Sequence, residues 1–222
     1  KILVFMGLMI ACLAIRFDFY YDLNDDTAIR DILSGRYTGE PSGYCIQMLY
    51  PLGWLIATAY RAIRKISWYG LFLCACQFGV LASITKKVWL QVILLILEGV
   101  LAFGLMGREL VILQYSVTSG LCMAGAIFWY LTTPRDQKPA PYLRGNLAAV
   151  ALVLIAFMIR TEVCMMLLPF LALVGLSQWA KETKPFTGTN VRKYLMVAGS
   201  AFLGILILYS IDSFAYRSTE WK

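Results

Sequence analysis

Seven apolar runs, Ile2 to Ile15, Trp68 to Thr85, Val88 to Met106, Leu113 to Leu131, Leu143 to Ile159, Val163 to Trp179 and Leu195 to Ile211, decide what this chain can fold into. Each approaches the ~20 residues an α-helix needs to cross a bilayer, and 222 residues hold too little else to bury seven such segments in a water-soluble core. Only 15% of the residues are charged, against about a quarter in soluble domains. Lipid is therefore the expected solvent. Backbone in lipid must satisfy its own hydrogen bonds, which selects helices over open sheets. The sequence predicts an all-α fold: a polytopic membrane helical bundle of about seven transmembrane helices, without room for a soluble domain.

Tryptophan and tyrosine mark the run ends, at Trp68, Tyr69, Trp89, Trp129, Tyr130, Trp179, Tyr194 and Tyr209, where amphipathic rings favour the headgroup layer. Gly120 with Ala124, and Ser200 with Gly204, are spaced to let helices approach closely, and Pro169 is expected to kink the sixth run. The chain opens at Lys1 without Met. We expect a fragment of a longer protein with a truncated first helix, rather than a signal peptide, because no basic cluster precedes the first run. Histidine is absent, which removes histidine bases, proton relays and histidine metal sites. Five of the six cysteines lie in apolar runs and only Cys45 in a polar loop, so a disulfide framework is not expected.

The net charge of +7 is dispersed among loops, so it is read as membrane topology and not as a nucleic-acid surface. Sidedness turns on Pro51 to Ile66. At about 100° per residue, Leu52, Leu55, Ile56, Ala59, Ala62, Ile63 and Ile66 share one stripe, while Gly53, Tyr60, Arg61, Arg64 and Lys65 fill the other side. This predicts an interfacial helix lying flat on the membrane. The cytoplasmic segments then hold Lys86, Lys87, Arg135, Lys138, Arg144, Lys181, Lys184, Arg192 and Lys193 against Asp136 and Glu182. The outer face receives the loop 16–67 with Asp18, Asp22, Asp25, Asp26, Asp31 and Glu40, together with Arg108-Glu109, Arg160-Glu162 and Asp212.

Four places on that face carry reactive groups. Asn24 to Gly35 reads as a short helix with Asn24 as N-cap, and Asp25 falls in the middle of its apolar face beside Ala28, Ile29, Ile32 and Leu33. Either the aspartates answer the helix dipole, or Asp25 is a general base in a cavity with Asp26 as its partner or as a substrate or metal ligand. Arg160-Thr161-Glu162 interrupts about 33 apolar residues that as one helix would measure ~50 Å, so a hairpin with a charged tip is required. Arg160 and Glu162 either pair in a solvated turn or read an anion. Gly107-Arg108-Glu109, with Gln114 and Tyr115, forms a second polar cluster whose alternatives are a snorkelling loop and a ligand site. Glu98 lies within the third run, where it makes an interhelical hydrogen bond or faces a cavity. The loop Arg36 to Tyr50, with Tyr37 and Tyr44, is placed to cover a sugar or lipid headgroup. No phosphate-binding glycine loop, metal-ligand spacing or nucleophile motif is present.

This layout, a first span, an acidic pair at Asn24-Asp25-Asp26, helices at Asp25 to Ser34 and Pro51 to Ile66, and an Ile159-Arg160-Thr161-Glu162 hairpin, resembles the membrane module of the GT-C glycosyltransferases. That superfamily includes the protein O-mannosyltransferases and the lipid A aminoarabinose transferases. Asn24-Asp25-Asp26, Ile32-Leu33-Ser34-Gly35, Tyr37-Thr38-Gly39, Leu49-Tyr50-Pro51 and Trp68-Tyr69-Gly70 are also similar to a pattern in bacterial multispan proteins that assigns no substrate. The resemblance implies a single integral-membrane module over 1–222, with 16–67 as an outer loop of juxtamembrane helices. It implies a multi-pass protein of the cell membrane whose catalytic face is extracytoplasmic. The implied activity moves a sugar from a polyprenyl-phosphate donor to a lipid, glycan or protein acceptor. Asp25 and Asp26 take the catalytic positions, Arg108 or Arg160 binds the donor phosphate, and Glu109, Glu162, Tyr44 and Gln114 are pocket candidates. A divalent cation, if used, would fall to Asp25 and Asp26. The residues also admit a transporter or lipid flippase, a surface polysaccharide polymerase or ligase, and a structural membrane subunit.

Overall fold

The computed structural model describes residues 20–21, 24–83 and 112–217. The expected spans Ile2 to Ile15 and Val88 to Met106, together with Glu98, Arg108 and Glu109, lie outside them. The chain divides into two compact units, 1–118 and 119–222.

In the first unit, β1 (Tyr20–Tyr21) pairs in parallel with β2 (Ile112–Leu113), two residues each, with Tyr20 opposite Ile112. Three helices, α1 (Asn24–Ser34), α2 (Tyr50–Ala62) and α3 (Trp68–Ser83), make up most of the other described residues of this unit. Helix α1 ends where expected: Gly35 takes φ +78°, and its N–H returns to the Ile32 carbonyl at 3.1 Å. The loop then folds back so tightly that a Cβ on Gly35 would sit 2.5 Å from the Glu40 carbonyl carbon. The buried face of α1 differs from the expected one. Ile29 and Leu33 are buried, but Asp26 joins them, while Ala28 and Ile32 are half-buried and Asp25 is exposed. Packing turns the helix toward Asp26.

Helix α2 starts with Pro51 in its first turn, where the missing N–H costs nothing, and ends at Ile63, whose backbone is extended. It is three residues shorter than the sequence suggests, its last helical residue being Ala62 and not Ile66. Its faces are also corrected. Leu52 and Ile56 are buried as expected, but Gly53 and Tyr60, assigned to the polar side, are buried with them, and Leu55 and Ile63 are exposed. Close approach is the cause: Gly43 and Gly53 lie against each other, and a Cβ on Gly43 would meet the Trp54 backbone nitrogen at 2.6 Å.

Helix α4 (Tyr115–Thr132) leads into the second unit, which also holds α5 (Pro139–Ile159), α6 (Thr161–Ala180) and α7 (Gly188–Arg217). The expected hairpin forms: α5 stops at Ile159, Arg160 is extended (φ −153°, ψ 107°), and α6 restarts at Thr161. Pro169 lies inside α6 without ending it. At Gly204 of α7 a Cβ would meet Leu154 of α5 at 2.8 Å, so this glycine permits the helix contact foreseen from its spacing; Gly120 meets nothing within 4 Å.

Helices α5, α6 and α7 are long and apolar enough to cross a membrane. The expected seven spans are not reached among the described residues. Helix α3 has 16 residues, about 24 Å of helix, and α4 has the length but loses hydropathy to Ser116, Thr118, Ser119 and Thr132. Helices α6 and α7 bury almost none of their apolar windows, and Met166, Phe170, Leu173, Phe202 and Leu203 are exposed. A surface of that composition belongs in hydrocarbon, and membrane association follows from it.

Candidate functional site

Asp25 and Asp26 lie in the first turn of α1, where N–H groups lack intrahelical partners and carboxylates are stabilised. Their surroundings differ. Asp26 is 0% exposed, and its Oδ1 accepts hydrogen bonds from the Tyr69 hydroxyl at 2.7 Å and the Tyr115 backbone N–H at 3.2 Å. Tyr115 is the first residue of α4, so one carboxylate occupies the amino end of its own helix and caps that of another. Tyr69 is held in turn, its backbone N–H donating to the Tyr60 hydroxyl at 3.3 Å. Asp26 thereby ties α1 to α3 and to the start of α4.

Asp25 faces water. Its Oδ2 lies 3.4 Å from the Gln47 amide nitrogen and 3.4 Å from the Tyr115 hydroxyl, which also donates to Gln47 Oε1. The hydroxyl has one proton to give, to Gln47 or to Asp25, and the amide N–H can hold Asp25 in either case. Gln47 has φ +69°, the one positive φ at a non-glycine among the described residues, a conformation that costs about 1–3 kcal/mol and collects at functional sites. Asp25 is thus a solvent-accessible carboxylate with two neutral polar neighbours, able to take a proton from a hydroxyl presented to it. The assignment of Asp25 to a buried apolar face is corrected: the buried aspartate is Asp26.

Asp26 Oδ1 is occupied by two donors inside the protein while Asp25 opens to solvent, and no group of three or more metal-ligating side chains gathers among the described residues. Of the other candidates in this unit, Tyr44 is half-buried with its ring 4.6 Å from that of Tyr50. Gln114 precedes α4, and its carbonyl accepts from the Thr118 N–H at 3.0 Å and the Thr118 hydroxyl at 2.9 Å. Burial pushes the Cys45 thiol up to about 12, so it is no nucleophile at neutral pH.

In the second unit Arg160 stands between α5 and α6, its Nε 3.6 Å from Glu162 Oε2. Glu162 is well exposed, and such a pair is worth about 0–1 kcal/mol. The Arg160 backbone is more firmly held: its N–H donates to the Ala156 carbonyl at 2.9 Å, and its carbonyl accepts from Cys164 N–H at 3.2 Å and the Ser119 hydroxyl at 3.4 Å.

A third polar cluster joins residues expected only as scattered cytoplasmic charge. Lys193 is 1% exposed, and its Nζ donates to Glu182 Oε1 at 2.6 Å and to the Arg135 carbonyl at 2.8 Å. The Tyr194 hydroxyl donates to the same Glu182 oxygen at 2.8 Å, and the Tyr142 and Tyr194 rings flank the ammonium at 5.2 and 5.1 Å. Burial acts to raise the Glu182 pKa, but the hydrogen bonds from Lys193 and Tyr194 and the Lys193 charge outweigh it and hold the carboxyl below its usual range.

Sequence reasoning missed Gln47 and Tyr69. Gln47 carries no local motif, and Tyr69 read as a marker for the end of a span; its bond to Asp26 joins residues 43 apart in the chain. Compared with protein-family models, curated proteins and solved structures, the chain has no match in any of the three.

Proposed function

We propose that this is a multi-pass membrane glycosyltransferase of the GT-C kind, moving a sugar from a polyprenyl-phosphate donor to an acceptor at the extracytoplasmic face. The observation that carries the reading is the division of labour within one aspartate pair: Asp26 is buried and bonded into the scaffold, and Asp25 beside it is open, hydrogen-bonded among the described residues through long contacts to neutral groups. A base for an acceptor hydroxyl needs that combination of fixed backbone and accessible oxygen.

In the proposed reaction Asp25 takes the proton of the acceptor hydroxyl as its oxygen bonds to C1 of the sugar. The bond from C1 to the donor phosphate oxygen breaks, and the electron pair leaves with the polyprenyl phosphate. Asp26 is a positioning residue. A guanidinium is required where charge builds on the phosphate, a role for Arg160 or Arg108. Sidedness is supported by the loops before α5 and α7 and the first turns of α7, where Arg135, Lys138, Lys181, Lys184, Arg192 and Lys193 outnumber Asp136 and Glu182.

The test uses the protein in native membrane vesicles supplied with a panel of radiolabelled polyprenyl-phosphate hexoses, reading release of polyprenyl phosphate. Asp25→Asn should lower that release about 10²- to 10⁴-fold, the contribution of a general base, with the protein still folded. Wild-type turnover in the folded Asp25→Asn variant, or no turnover of any donor by the wild type, ends this reading.

A further inference from the structure

The outward face of α2 carries large apolar side chains in the open. Leu52, Gly53, Ile56, Ala57 and Tyr60 turn inward, which leaves Trp54, Leu55, Thr58, Arg61 and Ala62 on the opposite side of the helix. Trp54 is 48% exposed, Leu55 59% and the following Ile63 48%. Large apolar side chains grouped at this density are poorly suited to water. The polar groups among them bond back to the protein: the Thr58 hydroxyl donates to the Trp54 carbonyl at 2.8 Å, and Arg61 Nη2 donates to the Pro41 carbonyl at 2.9 Å. Exposed Arg64 and Lys65 follow, and no acidic residue occurs between Ile46 and Ser67.

From this geometry we propose that the Trp54–Leu55 face of α2 seats on an anionic lipid surface, with the two side chains and Ile63 in the headgroup–acyl boundary and Arg64 and Lys65 on lipid phosphates. It is rotated from the stripe hydropathy alone selects, keeping Leu55 and Ile63 but exchanging Leu52 and Ile56 for Trp54, because Gly43 and Gly53 commit the other side to protein contact. A tryptophan at the interface, an apolar neighbour and adjacent cations in a segment without carboxylates are what an anionic bilayer surface attracts, at about 1 kcal/mol per cation near the surface. A folded protein partner would be expected to answer Arg64 and Lys65 with carboxylates, whereas a membrane supplies both the apolar layer and the phosphates. The inference stands apart from the glycosyl-transfer reading and needs only membrane association.

The experiment reconstitutes the full chain into phosphatidylcholine vesicles with and without phosphatidylglycerol, containing lipids brominated just below the headgroup, and follows tryptophan quenching. Trp54→Phe is conservative at an exposed site, so the fold should hold. The bromolipid-quenched component should fall by about the share of one tryptophan among the six in the chain, with quenching by aqueous iodide unchanged. In the wild type the Trp54 component should be larger with phosphatidylglycerol, and Arg64→Gln with Lys65→Gln should remove that lipid dependence. If Trp54→Phe lowers iodide quenching instead, the face lies in water; if it lowers neither, protein covers it. Either result overturns the inference.

Discussion

Asp25 and Asp26 are adjacent, identical in chemistry and opposite in fate, and the difference follows from which one the packing of α1 turns inward. A buried carboxylate loses several kcal/mol of hydration and is retained only where donors replace the lost water. The Tyr69 hydroxyl and the Tyr115 N–H are such donors, each worth about 0.5–3 kcal/mol across neutral and charged acceptors. Tyr69→Phe should therefore destabilise the protein by about 1–3 kcal/mol, and Asp26→Asn by a similar amount, whereas Asp25→Asn should stay within about 0.5 kcal/mol. In thermal unfolding, the Tyr69→Phe and Asp26→Ala effects should be clearly non-additive, since the first removes the donor and the second the acceptor of one hydrogen bond; strict additivity would mean that the bond contributes nothing. The sequence identified the pair but not this asymmetry. Ala28 and Ile32 widened the apolar stripe toward Asp25, and what rotates the face toward Asp26 is contact with residues 43 and 89 positions away, which no local periodicity encodes.

The elements show the same boundary between what periodicity encodes and what contact decides. The break at Arg160 was legible because a length limit imposed it. The inward side of α2 was not, because two glycines rather than an apolar stripe set it. Gly53→Ala would drive a methyl into the Gly43 carbonyl, backbone against backbone, and overpacking of this kind costs about 1–3 kcal/mol. The expected outcome is a lowered midpoint of unfolding, while Gly79→Ala, at a position with open space around it, should be neutral or slightly stabilising. The loop between α6 and α7 carries a pH dependence. The Glu182 pKa is lowered in the folded protein, so its contribution is full above the ordinary carboxylate value of ~4.3 and disappears as pH falls below that toward the depressed folded value. Unfolding scans at pH 7, 5 and 3.5 should show little change over the first step and a clear loss over the second. Glu182→Gln should be less stable already at pH 7, with Lys193 left buried opposite a neutral group, and should lose less on acidification. An acid response identical to wild type would remove Glu182 as its source.

For the whole molecule the governing quantity is the solvent that each exposed apolar side chain meets. Phe170, at the middle of α6, is 60% exposed and Phe186, in the loop before α7, is 82% exposed, so accessibility to a probe ranks them the wrong way round for their tolerance of charge. If α6 crosses a bilayer, position 170 lies near its centre, where a lysine costs about 2.5–3.5 kcal/mol on insertion scales, and position 186 lies where a lysine costs almost nothing. Phe170→Lys should shift α6 from mostly inserted to partly or mostly translocated in a glycosylation-based insertion assay of the full chain, and Phe186→Lys should leave insertion unchanged. Phe202→Lys, on the exposed face of α7, should behave like Phe170→Lys. Equal tolerance of lysine at 170 and 186 would place both in water, and three helices with the length and hydropathy of membrane spans would then need another apolar surface to cover them. Hydropathy could announce such helices from the sequence because lipid solvation depends on composition summed along a segment. The Asp25 and Asp26 surroundings depend on chain closure between distant segments, and for that reason they became visible only in the fold.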